Sequence, residues 1–360
     1  MKPKKRIIPV FIPNAGCAHK CVFCDQRRIT GASANASAAV VADIISAAIR
    51  EMKRSEAAAD SRGAEPGPYE IAFYGGSFTA LPEPLQNELL ESACGFLRPG
   101  PRDSIRISTR PDCLGGITAE RLKRFGVGTV ELGAQSMCDD VLRMSRRGHT
   151  AADVVEASLA VKGAGLSLIL QMMTGLPGDT RLKSLDTAKR FTEMQPDGVR
   201  VYPTVVVRGT ELYEMWKRGE YTEHTLEDAI TLCAEICRVF NDASIPILRL
   251  GLNPTDALSA GDAAAGAYHP ALGQLVYSKL YYDIAAGLLK SAPPHSEVII
   301  TVAKGRGSVM TGSRRGNIDR LLGEFSLASV KVAESDALQS PEKPVSVQIF
   351  DRRGTRIEPV

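Results

Sequence analysis

Short segments rich in β-branched and aromatic residues alternate along this chain with longer segments in which apolar residues recur at three- and four-residue spacing. This alternation is typical of βαβ units and predicts an α/β fold around a parallel sheet. The predicted strands are Arg6–Ile12, Tyr69–Tyr74, Ser104–Thr109, Thr129–Leu132, Leu166–Met172 and Gly198–Thr204. The predicted helices are Ser37–Lys53, Pro82–Phe96, Thr118–Phe125, Ala151–Ala164, Leu182–Met194 and Thr225–Asn241. Because a closed barrel needs eight strand–helix units, these units predict a partial (β/α)6 TIM-like barrel.

The alternation fades near residue 250, where a passage rich in turns and small residues begins. We therefore expect the partial barrel to occupy residues 1–250 and a small C-terminal α+β appendage to occupy residues 251–360. The appendage is predicted to contain one helix and three short strands. These elements are Ala271–Lys290, Glu297–Val302, Ser308–Met310 and Val345–Phe350. Within the barrel, Ser55–Pro68 is interpreted as a surface loop because it is rich in Ala, Gly, Pro and charge.

Composition and charge narrow the class of protein. The 360 residues are 44% hydrophobic and 24% charged, which excludes disorder over most of the chain. The formal net charge of +3 gives no strong overall field toward nucleic acid or an anionic membrane. The N-terminal apolar run is about six residues long and Pro9 interrupts it, whereas an export signal needs roughly 7–15. No segment approaches the roughly 18 apolar residues of a membrane span, so we expect a location in the reducing cytoplasm.

Three of the eight cysteines, Cys17, Cys21 and Cys24, lie close together with the spacing Cys-x3-Cys-x2-Cys. This clustering is unlike a disulfide framework. Three thiolates on one short loop can ligate three irons of a [4Fe–4S] cluster and leave the fourth iron without a protein ligand. Two alternatives stay open: small buried cysteines on one helix face, or a zinc site that His19 or a distant residue completes. Pro13, just before the cysteines, favours a loop, and loops after parallel strands are where barrel active sites lie.

With the aromatic Phe23 directly before Cys24, this motif resembles the signature of radical S-adenosylmethionine enzymes. The resemblance implies that Cys17, Cys21 and Cys24 hold a [4Fe–4S] cluster whose open iron is chelated by the amino and carboxylate groups of S-adenosylmethionine. It further implies that one electron cleaves the cofactor into methionine and a 5′-deoxyadenosyl radical, which abstracts a hydrogen atom from a substrate. An electron donor such as flavodoxin or ferredoxin is then an expected partner.

Glycines and polar residues follow the second and third predicted strands. Gly75, Gly76 and Ser77 end the second strand and resemble the superfamily's Gly-Gly motif, which hydrogen-bonds the methionine amino group; alone, such a pair is more often a simple turn. Thr109 and Arg110 end the third strand. The Arg110 cation would suit the carboxylate of a cofactor, or a structural salt bridge to its neighbour Asp112.

The fourth and fifth predicted strands end in residues that would suit the rest of the cofactor. Gln135 carries an amide that both donates and accepts, which fits ribose hydroxyls or a carboxylate. Met173 offers an apolar side chain that would pack an adenine, or simply fill the core. We therefore expect cofactor-binding residues at successive strand ends, and the sequence identifies no residue that acts on the substrate.

Longer stretches narrow the resemblance further. The segments YGGSF, STRPD, VELGAQS, QMMTGLPG and VRVYPTVVVRGTELYEMWKRGEY are similar to the radical domain of the Elongator catalytic subunit over roughly residues 7–250. Two features depart from that family: the gap between the first two cysteines is shorter, and no complete Arg/Gln-x-x-Gly-x-Gly/Ala loop for acetyl-CoA is present, with near misses beginning at Arg28, Gln195 and Arg320. The resemblance therefore implies the radical chemistry, but it does not carry over carboxymethylation of a tRNA wobble uridine.

The C-terminal region resembles the one found on bacterial Elongator-like radical proteins. It would close the open side of a partial barrel and present His269 or Tyr282 to substrate, although both residues equally suit packing.

Three functions stay open from the sequence: a radical enzyme with an unidentified substrate, an Elongator-like tRNA-modifying enzyme, and a non-enzymatic iron–sulfur or zinc module. The third is disfavoured, because candidate sites at successive strand ends would then be coincidental. The basic groups that would contact tRNA phosphates are Lys2-Lys4-Lys5-Arg6, Arg27-Arg28, Arg146-Arg147 and Arg314-Arg315. Such groups are usually solvated surface, and no membrane partner is expected.

Overall fold

A computed structural model describes residues 5–12, 17, 20–25, 37–59, 67–255, 258–338, 343–351 and 353–357. Its centre is a seven-stranded parallel sheet that curls into a half-barrel, which confirms the predicted partial TIM-like barrel. In spatial order the strands are β1 (Arg6–Phe11), β2 (Tyr69–Tyr74), β3 (Ser104–Thr109), β4 (Val127–Gln135), β5 (Ser167–Thr174), β6 (Gly198–Pro203) and β8 (Ile247–Leu250). The six predicted strands are present, and β8 is an additional edge strand that the sequence pattern did not reveal.

Side-chain alternation gives the sheet two different faces. On β2, Tyr69, Ile71 and Phe73 lie in the main hydrophobic core beneath the helices, whereas Glu70 and Tyr74 point to the opposite, inner face. The outer face is apolar and the inner face carries charge. The inner face of the half-barrel is therefore where polar chemistry collects.

Helices cover the outer face of the sheet. The helices of this part of the chain are α1 (Ala38–Ala59), α2 (Glu83–Cys94), α3 (Gly116–Arg124), α4 (Asp139–Met144), α5 (Ala151–Gly163), α6 (Arg181–Glu193), α7 (Glu211–Lys217) and α8 (Leu226–Asp242), of which α4 and α7 flank the cysteine segment. The first of these runs to Ala59, so the predicted loop Ser55–Pro68 begins as helix, and residues 60–66 lie outside the described residues. The described part of the chain contains no helix long and apolar enough to cross a membrane.

Helix α8 shows how the sequence encodes this covering layer. The Thr225 hydroxyl accepts a hydrogen bond from the Asp228 amide at 3.1 Å and starts the helix. Cys233 and Cys237, one turn apart, lie in the apolar face that packs on the sheet. Burial raises the pKa of the Cys233 thiol to about 12 and that of Cys237 well above its ordinary value. Both thiols are therefore core residues that stay protonated at neutral pH.

The C-terminal region forms a small second sheet beside the barrel. Its elements are α9 (Leu272–Leu288), β10 (Glu297–Ala303), α10 (Gly307–Thr311), α11 (Gly316–Glu324), β11 (Ser329–Ser335), β12 (Val345–Phe350) and β13 (Arg356–Ile357), and the sheet has the order β11-β10-β12-β13. The prediction of a strand at Ser308–Met310 is wrong, because the Met310 amide donates to the Arg306 carbonyl and closes a helical turn. Helix α9 packs against α8 in one continuous core, so the predicted division at residue 250 stays a prediction.

A short antiparallel pair bridges the two parts. It consists of β7 (Val205–Val207) and β9 (Ala263–Gly266), with Val205 opposite Gly266. Gly266 has a φ of +89°, and a Cβ there would meet the Thr204 carbonyl oxygen at 2.9 Å. Only glycine allows this close approach of the two strands.

Candidate active site

The cysteine segment is anchored between two helices. The Val22 amide donates to the Ser145 carbonyl at the end of α4 at 3.3 Å, and the Val22 carbonyl accepts from the Leu212 amide at the start of α7 at 2.7 Å. The Val22 side chain is buried with Leu212 and Tyr221. The stretch Val199–Tyr221, which carried the longest resemblance, therefore holds the cysteine segment in place.

Two of the three cysteines lie beside cationic side chains. Cys21 is buried, and Arg147 Nη1 donates to its Sγ at 3.1 Å. Cys17 lies at the surface, where partial burial first and then the neighbouring Cys21 raise the pKa of its thiol, while Arg147 and Arg110 act in the opposite direction. The Ser77 backbone also hydrogen-bonds the Cys17 thiol. The cysteine segment therefore faces the loop after β2.

Two thiols and two cations at this position have the chemistry that suits an anionic iron–sulfur group. Cys17 and Cys21 are electrostatically coupled, and the Cys24 amide donates to the Cys21 carbonyl at 3.2 Å in a tight turn. Thiolates bind iron, and the Arg110 and Arg147 guanidinium groups favour the negative charge of a thiolate-bound cluster. Within the described residues, no three His, Cys, Asp or Glu side chains are arranged to hold a metal ion. His19 lies outside the described residues.

The ends of β2 and β3 form one hydrogen-bonded group. The Ser77 hydroxyl lies 3.0 Å from the Thr109 hydroxyl and accepts from the Arg110 amide at 3.2 Å, and all three residues are buried. Arg110 pairs with Asp112 through Nε at 3.0 Å and Nη2 at 2.8 Å. The salt bridge that the sequence offered as an alternative role is thus present. It leaves Arg110 Nη1 buried, without a hydrogen-bond partner in the described parts of the chain.

A break in strand pairing directs Gln135 toward this group. The register between β4 and β5 shifts between Leu132 and Gln135, and Gln135 has a φ of +67°, which is rare for a residue with a side chain. A Cβ at Gly133 would lie 3.0 Å from Gln135 Nε2 and 3.3 Å from Arg147 Nη2, so these side chains meet over a bare backbone. The Gln135 Oε1 atom is buried and unpartnered among the residues that the structure describes. We refer to Ser77, Thr109, Arg110 and Gln135 as the strand-end cluster.

The remaining predicted cofactor residues lie at the same edge of the sheet. Gly75 has a φ of +90°, which only glycine adopts readily, and it begins the turn that leads through Gly76 to Ser77. Met173 lies opposite Tyr202 of β6, on the inner face of the sheet, and is half-buried. The structure thus brings Cys17, Cys21 and the strand-end cluster together, and it leaves Met173 two strands away from Arg110.

Two residues of the loop after α4 were not identified as site residues from the sequence. Arg147, which was grouped with Arg146 as a basic pair, is buried against Cys21. His149 Nε2 donates to the Ala134 carbonyl at 3.0 Å, which makes Nδ1 the unprotonated nitrogen. Burial first, and then Arg147, lower the pKa of His149 to about 4, so its ring is neutral at pH 7. The Arg-Arg-Gly-His run was the available signal, but it does not tell which arginine is buried.

Beneath the strand-end cluster, four charged side chains cross the inner face of the sheet: Glu70, Arg106, Glu131 and Arg200. Arg106 contacts Glu70 at 2.6 Å and Glu131 at 2.5 Å. Arg200 contacts the same Glu131 oxygen at 2.8 Å. We call these four residues the interior charge cluster. Side chains along a strand point alternately to the two faces of a sheet, and each of these four charges takes an inward position on its own strand. Charged residues inside otherwise apolar predicted strands were therefore the signal that the sequence analysis missed.

Two tyrosines, Tyr74 and Tyr202, hydrogen-bond to the interior charge cluster. Arg200 Nη2 donates to the Tyr74 hydroxyl at 3.1 Å and Nη1 donates to the Tyr202 hydroxyl at 3.3 Å. Burial raises the pKa of both tyrosines, so both stay protonated. Burial alone would lower the pKa of Arg200, but Glu131, Tyr202 and Tyr74 together raise it further, so Arg200 stays charged. The interior therefore offers fixed charges and neutral phenols.

The C-terminal candidates have structural contacts. Tyr282 is buried and its hydroxyl donates to Glu324, while the Arg320 guanidinium lies 4.2 Å from its ring centroid. His269 Nδ1 accepts from the Ala271 amide at 3.0 Å before α9 begins. Arg320 lies inside α11, so the near miss that begins there is helix rather than a nucleotide-binding loop. The near miss at Arg28 lies outside the described residues.

The predicted basic groups are dispersed in the structure. Lys5 donates to the Ser104 hydroxyl at 2.9 Å, and Arg146 is exposed and pairs with Glu211 at 3.7 Å. Arg314 and Arg315 are exposed in a turn before α11. The groups that fall outside the described residues are Lys2, Lys4, Arg27 and Arg28.

Comparison with protein families locates these features in known architecture. The family model described as the Radical SAM superfamily matches residues 11–191, and the model described as the Radical SAM C-terminal domain matches residues 196–282. The first match includes the cysteine segment and the whole strand-end cluster. The second ends within α9, beyond the barrel strands.

Curated relatives cover part of this chain. A tRNA uridine(34) acetyltransferase of Methanocaldococcus jannaschii is 39% identical over 129 residues, which are 35% of this chain and 24% of the relative. Elongator complex protein 3 of Bos taurus is 31% identical over 214 residues, which are 51% of this chain and 39% of the relative. The chain thus spans less than half the length of these curated relatives. The predicted resemblance to the Elongator catalytic subunit is confirmed for that part.

A solved structure agrees at the level of the fold. The archaeal Elp3 of Methanocaldococcus infernus with an N-terminal deletion (1–46) superposes with a TM-score of 0.58 at 21% identity, covering 84% of this chain and 72% of that chain. At this identity the likeness supports the fold alone.

Proposed function

Because this chain belongs to the radical S-adenosylmethionine superfamily, whose enzymes use a [4Fe–4S] cluster and S-adenosylmethionine, we propose that Cys17, Cys21 and Cys24 ligate the cluster and that the strand-end cluster binds the cofactor. The observation that carries the proposal is the meeting of the cysteine segment with the ends of β2 and β3. Ser77 contacts Cys17 through its backbone and Thr109 and Arg110 through its hydroxyl.

When bound, the cluster and cofactor supply a 5′-deoxyadenosyl radical that abstracts hydrogen from a substrate. The chain's own residues bind and orient the cofactor. Arg110 is held by Asp112 with one N–H group to spare, which suits a carboxylate. Gln135 has a spare amide oxygen, which suits a hydroxyl or amino donor. Gly75 and Gly76 allow close backbone approach, and Met173 would pack an adenine from the neighbouring strand end.

The interior of the half-barrel is the proposed substrate chamber. Its walls carry the interior charge cluster and the neutral hydroxyls of Tyr74 and Tyr202. Fixed charges in a buried site orient a polar substrate at low reorganisation cost. The electron would come from a small donor such as flavodoxin or ferredoxin.

Cofactor cleavage tests this proposal directly. Protein reconstituted anaerobically with iron and sulfide, then reduced in the presence of S-adenosylmethionine, should release 5′-deoxyadenosine. Cys21→Ala should abolish the product, because the cluster loses one of its three ligands. Cys94→Ala, at an exposed cysteine at the end of α2, is the matched control and should retain product formation.

A colourless protein that binds one zinc ion and forms no 5′-deoxyadenosine would contradict the proposal. The same assay with deuterated candidate substrates identifies the substrate. Deuterium that appears in 5′-deoxyadenosine marks the compound whose hydrogen is removed.

A second candidate function is modification of a tRNA uridine. The observation in its favour is the 39% identity over 129 residues to a protein named tRNA uridine(34) acetyltransferase. We propose no acetyl transfer, since the chain spans only 24% of that relative. The exposed pair Arg314 and Arg315 would contact phosphates.

Salt dependence tests the tRNA candidate. Binding of a transfer RNA should weaken as salt is raised, with a slope that Arg314→Ala and Arg315→Ala reduce together by about two. Lys304→Ala, which removes another exposed cation of the appendage, is the control and should change the slope less. Absent binding at low salt would remove this candidate and leave cofactor cleavage untouched.

A further inference from the structure

We propose that Arg147 is a positioning residue that sets the reduction potential of the iron–sulfur cluster through its hydrogen bond to Cys21. The inference rests on the proposed role of Cys21 as a cluster ligand. It concerns a residue that lies outside both the cysteine motif and the strand-end cluster.

The Arg147 side chain is fixed from several sides. Its Nη1 donates to Cys21 Sγ at 3.1 Å and its Nη2 donates to the Gly133 carbonyl at 2.5 Å. The Arg147 amide donates to the Leu142 carbonyl at 2.9 Å and ties the residue to α4. The residue is 7% exposed. The Gly133 carbonyl on β4 thus holds the buried guanidinium beside the thiol, while the backbone amide fixes the residue to α4.

No carboxylate within the described ranges lies at ion-pair distance from Arg147. The neighbouring His149 adds no second positive charge, because its ring is neutral at pH 7. A second cation, Arg110, acts on Cys21 as well and is paired with Asp112. The unpaired charge of Arg147 therefore acts mainly on the sulfur that it contacts.

A cation at this position favours the reduced cluster. Reduction adds one electron to the cluster and no proton, so the total negative charge on the iron and sulfur atoms rises by one. Hydrogen bonds to cluster sulfurs and nearby positive charge stabilise that extra charge and raise the potential. Without Arg147 the cluster should accept an electron from dithionite less readily.

An anaerobic redox titration followed by electron paramagnetic resonance measures this effect on reconstituted protein. Arg147→Met should lower the ratio of reduced to oxidised cluster about tenfold at a fixed ambient potential, which for a one-electron couple is a shift of 59 mV. Arg147→Lys keeps the charge and should shift the potential less. Arg147→Gln keeps a donor without the charge and supplies the same comparison should the Met variant load cluster poorly.

Arg146→Met is the matched control, because Arg146 is adjacent in sequence but exposed and paired with Glu211. Its potential should equal that of the unsubstituted protein. Equal potentials in Arg147→Met, Arg147→Gln and the unsubstituted protein, all with full cluster content, would overturn the inference and leave the proposed function intact. Failure of the unsubstituted protein to bind any [4Fe–4S] cluster would instead overturn the proposed function.

Discussion

The strand-end cluster and the interior charge cluster share β2, β3 and β4, with Arg200 of β6 as an additional member of the interior one, and they differ in how completely their polar atoms are paired. In the interior, Glu70 pairs with Arg106, and Glu131 is shared between Arg106 and Arg200 in a chain of ion pairs. At the strand ends, Arg110 Nη1 and Gln135 Oε1 lie buried without partners in the described part of the protein.

The difference separates side chains that pair with one another from side chains that keep atoms available for a cofactor. Buried polar atoms are normally paired, and an unpaired one costs roughly 1–3 kcal/mol. The interior largely avoids that cost by pairing its own charges, although Arg200 Nε has no partner among described residues. The strand ends bear the cost, which a bound cofactor would offset. We therefore expect substitutions in the interior charge cluster to lower stability and substitutions in the strand-end cluster to weaken cofactor binding.

Removing the shared carboxylate should give the largest effect on stability. Glu131→Ala leaves Arg106 with Glu70 and leaves Arg200 without a carboxylate among the described residues, and breaking a buried ion pair in this way costs about 3–5 kcal/mol. Denaturant unfolding of the apo protein measures the loss. The matched control is Glu235→Ala, which removes the partner of the exposed Arg181 and should not shift the midpoint detectably. Equal midpoints for the two variants would show that the interior charges do not support the fold.

Lowering the pH should reduce the stability of the folded protein through protonation of His149. The folded state holds the pKa of this ring at about 4, below its ordinary value of 6.5. Between these values the unfolded chain binds a proton that the folded chain does not, so stability falls as pH drops from 6.5 toward 4. Protonation of His149 should therefore lower the free energy of unfolding by at most about 3 kcal/mol between pH 7 and pH 4.

Unfolding at pH 7 and pH 5 checks this contribution. His149→Gln keeps a donor for the Ala134 carbonyl and should flatten the pH dependence over this window. His295→Gln, at a surface turn, is the control and should leave the pH dependence unchanged. A slope in His149→Gln as steep as in the unsubstituted protein would assign the acid sensitivity to other groups.

A structural feature could be predicted from the sequence when it depends on residues that are close together along the chain. The six predicted strands and the cysteine spacing depend on near neighbours along the chain, and the architecture they imply is confirmed. Strand β8 was missed because its four residues follow a short loop and carry no alternation of apolar and polar residues. Ser308–Met310 was misassigned because three residues cannot distinguish a strand from one turn of helix.

The candidate site divides in the same way. Ser77, Thr109, Arg110 and Gln135 were proposed because each ends a strand, and strand ends of a parallel sheet meet at one edge. The contact of Arg147 with Cys21 joins residues 126 positions apart and depends on the path of α4, which no local pattern encodes. Arg147 is buried and Arg146 is exposed. Because the two neighbours are the same residue type, the sequence does not show which of them is buried.

The smallest expected effect provides the sharpest test, because two buried glutamines should respond in opposite ways. Gln135 has an unpaired Oε1, whereas Gln86 Nε2 donates to the Thr79 carbonyl at 3.0 Å and to the Leu81 carbonyl at 2.7 Å. Gln135→Leu removes a buried unpaired oxygen, so it should not lower the free energy of unfolding, and it should weaken S-adenosylmethionine binding about tenfold, or about 1.4 kcal/mol. Gln86→Leu should cost about 1–3 kcal/mol of stability and change the affinity less. Anaerobic calorimetry and urea unfolding of both variants decide the matter: a destabilised Gln135→Leu protein with unaltered affinity would make Gln135 a structural residue and remove the contrast between the two clusters.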